Sequence, residues 1–416
     1  MSVIDAGSFA VRCGSIGEAT SSMSLAPFSY NGMSNDNEED SVLLHHRSRW
    51  TASSRRYTWN QLLTDPRVDV ERSVPLWTTE SIQNHLPEHV EQLSYIASKA
   101  LGFRSADPLM LVLQEAWHER LERVSALASA LLEGEITSAL YFARPSVCIA
   151  LSQGKPTAVV VDCGHSQTTA AVVCDGYVAR RSIITAPVAG SAVTSTLLHH
   201  ISLPYERTLS SRCLDASAAH PKRIALARFF AMQEVKEVWA VVGGGVDGGK
   251  GASGGVSAPT EPAMQRFFAP DGAELHLSDD ATRSGLDVAR LRDSCFDQLF
   301  RESTHAPGEH AQSIHIPKTI LKVRRNVDIE MRAATLPHIL GGGTSQAPRF
   351  AARVTAELKT LDSQYFKAPP PIVASANSAW KGASMSAESS AFMPLWITKA
   401  ELAEEGTSVL RRKLCY

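Results

Sequence analysis

The chain contains two segments of the same design, and this duplication constrains its fold more than any other feature. In each segment a short apolar strand ends on an aspartate and enters a tight glycine turn: Val3-Ile4-Asp5-Ala6-Gly7-Ser8 and Val160-Val161-Asp162-Cys163-Gly164-His165. Glycine leaves the backbone open to close approach by a ligand. Two such hairpins facing each other would offer backbone N–H groups to phosphate oxygens, and their aspartates could hold a hydrated divalent metal.

A third glycine turn lies further along the chain. The predicted strand Leu336 to Leu340 runs into Gly341-Gly342-Gly343-Thr344, and a helix is predicted from Phe350 to Leu361. This strand-to-helix turn predicts a helix N-terminus that a ligand can approach closely. The order and spacing of the three turns indicate an α/β fold in which two related halves clamp a nucleotide. The actin, sugar kinase and Hsp70 type of ATPase has this fold.

Length and composition narrow the function classes. At roughly 100–200 residues per domain, 416 residues predict two to four domains, and a hydrophobic content of 44% supplies a sizeable core. Lys and Arg (41) nearly balance Asp and Glu (43), which disfavours a general polyanion-binding role. No apolar run approaches about 18 residues, so no membrane span is predicted. The N-terminal residues do not resemble a signal or transit peptide. Seven scattered cysteines without a CxxC favour free thiols in a reducing compartment.

Hydrophobic periodicity predicts alternating strands and helices. Most of the predicted elements are well delimited, among them the returning strands Val11 to Gly14 and Thr168 to Cys174 and helices at 86–100, 121–131, 189–201 and 223–238. Tyr177 to Ile183 is predicted as a strand, whereas Val147 to Leu151 fits a helix or a strand. The chain is expected to end with a short helix near Lys399 and a basic tail, Arg411-Arg412-Lys413.

Three polar stretches, at 31–60, 243–261 and 304–312, are predicted as exposed loops. Within the second, residues 243–248 fit GxGxxG and residues 244–250 nearly fit a P-loop, but Gly251 stands where Ser or Thr must hold Mg²⁺ and no helix pattern follows. The mixture of Arg and aromatic residues from Arg47 to Trp59 leaves a nucleic-acid contact open. His85-Leu86-Pro87-Glu88-His89 fits an inverzincin pattern, but Pro87 suits only the first turn of a helix, so we interpret the match as chance.

Longer stretches of the sequence resemble the actin superfamily. "QGKPTAVVVDCGHSQTTAAVVCDGYVARRSI" resembles its second phosphate hairpin, "MQEVKEVW" its adenosine-pocket helix, and "DIEMRAATLPHILGGGTSQAPRFAARV" its strand-GGT-helix element. "PLMLVLQEAWHERLERVSALASALLE" and "SAWKGASMSA…FMPLWITKAELAEEG" resemble a strand-helix unit and the C-terminus of actin. The resemblance implies an actin-like ATPase fold with two ribonuclease-H-like halves and four subdomains around a central nucleotide cleft. It implies subdomain 1 at 1–30, 65–150 and 376–416, a divergent subdomain 2 at 31–64, subdomain 3 at 151–188 and 310–375, and subdomain 4 at 189–309.

Within that superfamily the first hairpin, "DAGSFAVRCG", is most similar to the nuclear actin-related proteins of the fourth class, because it carries Phe9 and Arg12 where conventional actin has Gly and Lys. This similarity implies a nuclear structural or regulatory subunit of a chromatin-remodelling or histone-acetyltransferase complex. The expected partner is a helical segment of a remodelling ATPase or scaffold subunit, docked in the lower cleft, with actin or another actin-related protein beside it. A cytoskeletal actin-related protein in the cytoplasm and an active ATPase or kinase of the same fold are the alternatives.

The resemblance also assigns the residues of a cleft for ATP or ADP with Mg²⁺. Metal contacts fall on Asp5 and Asp162, which also belong to the two phosphate loops. The nucleotide-binding residues that it implies are Asp5, Gly7, Ser8, Arg12, Asp162, Gly164, Lys236, Glu237, Gly342, Gly343 and Thr344.

Several departures from the family pattern predict little or no hydrolysis. The Gln that orients water in actin falls on Pro145, the His near the terminal phosphate falls on Thr169, and a phosphate-loop Asp falls on His165. Other family side chains near the cleft are replaced by Phe9, Ala347 and Ala376. The polar character of 31–60 and of the loop after Phe300 further predicts that the chain does not polymerise, because filament contacts need apolar tips.

Overall fold

A computed structural model describes residues 1–18, 21, 23–25, 76–78, 81–97, 107–201, 221–244, 267–268, 274–275, 288–302, 313–332 and 336–414. Its strands are β1 (Ser2–Ala6), β2 (Val11–Ser15), β3 (Met23–Leu25), β4 (Leu109–Val112), β5 (Ala139–Ala143), β6 (Ala158–Cys163), β7 (Thr168–Cys174), β8 (Tyr177–Val178), β9 (Ile184–Ala186), β10 (Phe267–Phe268), β11 (Glu274–Leu275), β12 (His338–Gly341), β13 (Ile372–Val373) and β14 (Ile397–Thr398). Its helices are α1 (Ser81–Asn84), α2 (Leu86–Tyr95), α3 (Glu115–His118), α4 (Leu121–Glu133), α5 (Pro145–Ser152), α6 (Gly190–His200), α7 (Pro221–Trp239), α8 (Val288–Ser294), α9 (Ile316–Arg325), α10 (Phe350–Leu361), α11 (Ser378–Glu388), α12 (Lys399–Glu405) and α13 (Thr407–Lys413).

The first sheet has the strand order β14-β5-β4-β1-β2-β3. Its strand β1 pairs antiparallel with β2 across the first glycine turn and parallel with β4 on its other side. Within the hairpin, Asp5 lies opposite Arg12. The near-continuous burial of β1 and β4 follows from their central position, where both faces of a strand are covered.

The second sheet repeats this design. Its order is β13-β12-β6-β7-β8, and β9 also pairs with β7. Strand β6 pairs antiparallel with β7 across the second glycine turn and parallel with β12, so Asp162 ends its strand as Asp5 does. The predicted fold class, α/β with two related halves, is therefore confirmed. The division into four subdomains stays a prediction, although the two sheets draw their strands from the ranges expected for subdomains 1 and 3.

Helices α5 and α11 join the two sheets. A Cβ added to Gly382 of α11 would lie 1.8 Å from the Cys148 carbonyl oxygen of α5, so only glycine permits this close contact. The indole Nε1 of Trp380 donates to the Val3 carbonyl of β1 at 3.1 Å. Apolar side chains of both sheets, including Val3 and Val160, meet in one buried cluster around these helices. The packing positions the glycine turns of the two halves beside each other.

Most predicted elements agree with the structure, but the strand predicted from Tyr177 to Ile183 is wrong. Strand β8 ends at Val178, a short 3-10 helix spans Arg180–Ser182, and β9 begins at Ile184. The cause lies in Ser182, whose hydroxyl oxygen accepts a hydrogen bond from the Val172 N–H at 2.8 Å. This bond satisfies the donor that a continuous strand would have paired.

The structure also resolves or corrects the predictions for the 147–151 segment, the C-terminal basic residues and the third glycine turn. The ambiguous segment at 147–151 is a helix, with Pro145 in its first turn, where the missing N–H costs nothing. The expected basic tail is the last turn of α13, and Lys413 is buried there with its Nζ 2.6 Å from Glu401 Oε1. The Gly342-Gly343-Thr344 turn does not open an α-helix, because a 3-10 turn at Thr344–Gln346 precedes α10.

Some expectations lie outside the described residues. They include the 31–60 segment, most of 243–261 and the 304–312 loop. In the portion of the chain that is described, no helix is both long and apolar enough to cross a membrane. Five cysteines there are not joined in disulfides: Cys13, Cys148, Cys163, Cys174 and Cys295.

Candidate nucleotide-binding cleft

The three glycine turns line one cavity of about 440 Å³ between the two sheets. That volume lies within the range of small-molecule and cofactor sites. Strand ends position the turns, because β1, β6 and β12 finish at the same side of the molecule. All residues assigned to a nucleotide by resemblance line this cavity: Asp5, Gly7, Ser8, Arg12, Asp162, Gly164, Lys236, Glu237, Gly342, Gly343 and Thr344. Their individual roles stay predictions.

The aspartate of the first hairpin is paired. Arg12 Nη1 lies 3.3 Å from Asp5 Oδ2, as the opposed positions in the β1–β2 register allow. Burial raises the pKa of Asp5, and the charge and hydrogen bond of Arg12 oppose that rise. At Gly7 a Cβ would lie 2.6 Å from the Ala10 carbonyl oxygen, so the tight turn requires glycine.

The aspartate of the second hairpin has different surroundings. Burial raises the pKa of Asp162 to about 7, and the nearby carboxylates of Asp5 and Glu115 add to that rise. Within the part of the chain that the structure describes, no group donates a hydrogen bond to this carboxylate. A cation entering the cavity would therefore stabilise the charged form of Asp162 and lower its pKa.

The second turn is fixed to its neighbours by its carbonyl oxygens. Gly164 O accepts hydrogen bonds from Thr344 Oγ1 at 2.7 Å and from the Gly190 N–H at 3.2 Å. Gly342, at φ +82°, lies so close that a Cβ would be 2.2 Å from the Cys163 carbonyl oxygen. The second and third turns thus form one rigid backbone wall of the cavity.

A polar network on α7 adjoins this wall through Gly190. Lys236 Nζ donates to Gly190 O at 3.0 Å and to Gln233 Oε1 at 2.7 Å. Gln233 Nε2 donates to Glu237 Oε1 at 2.8 Å, and Thr194 Oγ1 donates to Gln233 Oε1 at 2.7 Å. Gly190 leaves room for this network, because a Cβ there would lie 2.4 Å from Thr344 Oγ1.

Different side chains occupy the three positions that the resemblance aligns with the water-directing residues of actin. Pro145 lines the cavity at the start of α5. Thr169 is buried opposite Asp162, with its Oγ1 3.2 Å from Thr185 Oγ1. The ring of His165 contacts Phe9, and burial with the nearby Lys236 charge lowers the pKa of His165 to about 3, so this histidine is neutral at physiological pH.

Sequence reasoning missed several residues of the cavity. Gln233 could have been found, because it lies one helical turn before Lys236 on the same face of α7. Outside the cavity lining, nothing in the sequence pointed to Glu115, which is buried, paired with Arg144 and accepts a hydrogen bond from Ser146 Oγ at 3.3 Å. In the residues that the structure describes, no group of three or more His, Cys, Asp or Glu side chains could hold a metal ion. A metal here would depend on the two aspartates and on phosphate oxygens.

Comparison with known proteins decides the family. The family model described as Actin matches residues 1–415. The chain belongs to the actin family. The predicted actin-like fold is confirmed, and members of this family generally bind ATP or ADP with a divalent metal.

Individual relatives are distant from this actin-family chain. A protein named actin-related protein 4 from Emericella nidulans is 25% identical over 99% of this chain and 95% of its own length. A protein of Schizosaccharomyces pombe named as a subunit of the SWI/SNF and RSC complexes, arp42, is 23% identical over 71% of this chain and 74% of its own. Centractin from Saccharomyces cerevisiae is 23% identical over 76% of this chain and 74% of its own. These names support an actin-related protein.

Proposed function

We propose that the chain is a non-filamentous structural and regulatory subunit of a nuclear chromatin-remodelling or histone-acetyltransferase complex. Its cleft binds ATP or ADP with Mg²⁺ and hydrolyses ATP weakly or not at all. Pro145 carries the part of this proposal that concerns hydrolysis, because it lines the cavity at the position where the resemblance to actin expects the water-orienting side chain.

The side chain of Pro145 cannot position a water molecule for attack on a phosphate. Phosphoryl transfer to water is accelerated by positioning the water and by polar groups aimed at the developing charge. A proline side chain can neither donate nor accept a hydrogen bond. Thr169 is hydrogen-bonded to Thr185, and the lowered pKa of His165, about 3, makes its imidazole a weak base, so neither side chain replaces the polar residues that the family has there. We therefore do not expect these three positions to direct a water molecule at the terminal phosphate.

Nucleotide binding itself fits the residues that are present. Gly342 and Gly7 create turns that a Cβ would block, and Gly343 has no atom within 4 Å of its Cβ position, which leaves its face open to the cavity. Asp162 and Asp5 would hold the hydrated metal, and Lys236 and Glu237 would contact the nucleoside. A bound nucleotide would supply charge and contacts that bridge the two halves.

Partner docking is assigned to the lower cleft, between the start of α5 and the segment after α11. Val147 and Phe392 are half-buried and pack on the shared core, and Phe392 contacts Tyr141 with ring centroids 4.5 Å apart. Met385 and Met393 are 46% and 53% exposed. Apolar side chains in such positions suit an amphipathic partner helix. The neighbouring Ile149 is buried, where it packs against Gly341, so it does not contribute to this surface.

The names of the relatives favour two different candidates. The S. pombe relative is named as a subunit of the SWI/SNF and RSC complexes, which favours a nuclear complex. The match to centractin favours the second candidate, a cytoskeletal actin-related protein. Both candidates use the same fold, and they differ in the partners that would co-purify.

Affinity purification of the tagged protein from its own cells, followed by identification of the co-purifying subunits, tests the proposal. Met393→Glu places a charge in the proposed groove, so we expect it to abolish co-purification while the thermal unfolding midpoint stays unchanged. Ile329→Glu is the matched control, because Ile329 is 79% exposed outside the groove. We expect this control to recover the complex in full yield.

The outcomes separate the candidates. Remodelling ATPase, bromodomain or acetyltransferase subunits support the nuclear complex. Filament or dynein-linked proteins would favour the cytoskeletal candidate. Full recovery of the complex by Met393→Glu would show that the partner docks elsewhere.

A further inference from the structure

The tips of the two hairpins touch across the cleft. Ser166 Oγ donates to Ser8 Oγ at 2.8 Å, and the Ser166 N–H points at the same oxygen at 3.3 Å. Ser8 belongs to the first half and Ser166 to the second. The contact therefore closes the space between the two turns at the level of their side chains.

An aromatic contact lies beside this hydrogen bond. The rings of Phe9 and His165 have centroids 5.0 Å apart, and His165 makes an edge contact with Phe229 at 5.6 Å. Phe9 comes from the first half, yet it packs against the buried core of the second half. We call the contact formed by Ser8, Phe9, His165 and Ser166 the hairpin clasp.

The second tip cannot retreat easily from the clasp. The His165 carbonyl oxygen accepts a hydrogen bond from the Ser191 N–H at 2.7 Å, at the start of α6. The adjacent Gly164 carbonyl is held by Gly190 and Thr344. Opening the clasp would break these bonds or would require the first tip to carry Phe9 out of its apolar contacts.

The clasp determines how much phosphate the cleft can take. With the nucleoside at Lys236, Glu237 and the Gly342–Thr344 turn, successive phosphates extend toward the hairpin tips, and the outermost must lie between them. We propose that the hairpin clasp occupies the place of the terminal phosphate, so that the cleft binds a nucleoside diphosphate in preference to a triphosphate. Phe9 and Ser166 are then specificity-determining residues. This inference rests on the proposed nucleotide binding.

The physical basis is that a third phosphate must displace contacts already made. It would have to take the Ser166 N–H and the Ser8 hydroxyl from each other, and it would bring charge against the faces of Phe9 and a neutral His165. A diphosphate leaves the clasp intact and still uses the glycine turns and the aspartates through its metal.

Calorimetric titration of the purified full chain with MgADP and with a magnesium complex of a non-hydrolysable ATP analogue tests the proposal. We expect the wild-type Kd for the triphosphate to be about tenfold higher than for ADP, or about 1.4 kcal/mol. Phe9→Ala should remove most of this difference by tightening triphosphate binding, with ADP affinity nearly unchanged. Ser166→Ala, a milder change that removes one donor, should shift the ratio in the same direction by less.

Two controls guard the interpretation. Phe366→Ala, a matched truncation at a site that is 69% exposed, should keep the wild-type ratio. Circular dichroism and the unfolding midpoint establish that each variant is folded. If Phe9→Ala does not fold, Ser166→Ala still tests the proposal.

Wild-type binding of the triphosphate as tightly as the diphosphate would overturn the inference and leave the proposed function intact. An unchanged ratio in folded Phe9→Ala and Ser166→Ala would also overturn it. Absence of binding to either nucleotide would overturn both this inference and the nucleotide-binding part of the proposed function. Membership of a complex is judged separately by co-purification.

Discussion

The two hairpins share a backbone and differ in chemistry. Asp5 and Asp162 end equivalent strands and enter equivalent glycine turns. Asp5 lies across from Arg12 and forms an ion pair with it, whereas Asp162 lies across from Thr169, whose hydroxyl faces Thr185. The first half thus supplies a cationic partner for its own aspartate, and the second half leaves its aspartate without one in the described residues. The two halves share a fold, but their equivalent aspartates have different partners.

The tips of the two hairpins also differ in the contacts that they make. The first hairpin reaches into the other half with an apolar side chain, Phe9. The second hairpin is held by backbone hydrogen bonds to Gly190 and Ser191 within its own half. One tip therefore closes the cleft and the other provides a fixed wall, and substitutions in the two hairpins should have opposite consequences.

The largest effect is expected from Asp5→Ala. It leaves the largely buried guanidinium of Arg12 without its partner, and breaking a buried ion pair in this way costs about 3 kcal/mol of stability. Chemical denaturation measures the change. Glu302→Ala removes an exposed ion pair with Lys318 and should leave the denaturation midpoint nearly unchanged. Equal effects of the two substitutions would contradict the idea that the first hairpin is internally neutralised.

Asp162→Asn should act in the opposite direction in the nucleotide-free protein. An unfolded aspartate loses its proton near pH 3.8, whereas the folded-state pKa of Asp162 is about 7. Between those values the folded state holds the extra proton, so rising pH lowers the free energy of unfolding. Asparagine removes this loss, and at pH 8 the variant should be more stable by at least about 1.4 kcal/mol, the free energy of one pKa unit.

Unfolding midpoints of wild type and Asp162→Asn at pH 5, 6, 7 and 8 measure this prediction. The difference between the two proteins should grow from pH 5 to pH 7 and level off above. Asp5 and Glu115, whose pKa values are also raised by burial, remain in both proteins, so the difference reports on Asp162. Parallel pH curves would show that burial does not raise the pKa of Asp162 in the folded protein.

The smallest effect is expected from Thr344→Val. The substitution keeps the shape of the side chain and removes the 2.7 Å hydrogen bond to Gly164 O, at a cost of about 1 kcal/mol. It should also loosen the fixed wall, which hydrogen exchange at the Gly190 and Ser191 amides would register. Unchanged protection of those amides would indicate that the second tip is held without Thr344.

The sequence predicted the repeated design because strands ending in aspartate before a glycine turn are visible locally. It also placed the third turn and the long amphipathic helices, since hydrophobic periodicity survives without tertiary information. It could not predict that Ser182 ends a strand by accepting a bond from Val172, nor that Glu115 pairs with Arg144 beneath Pro145. Those contacts depend on tertiary proximity, and no local pattern encodes them.

The contacts of the hairpin clasp likewise could not be predicted from the sequence. The sequence marked Phe9 and His165 as departures from the family pattern, but only the structure places one ring against the other. The contact between Ser8 and Ser166 spans 158 positions of the chain and left no sign in the sequence.

We propose that this actin-family cleft serves binding and assembly, with little or no ATP hydrolysis. Magnesium-dependent phosphate release from ATP by the purified protein, measured beside conventional actin under the same conditions, is the decisive test. Because Pro145 cannot orient water, we predict a rate well below that of actin. Release at least as fast as that of actin would show that the cleft is catalytic.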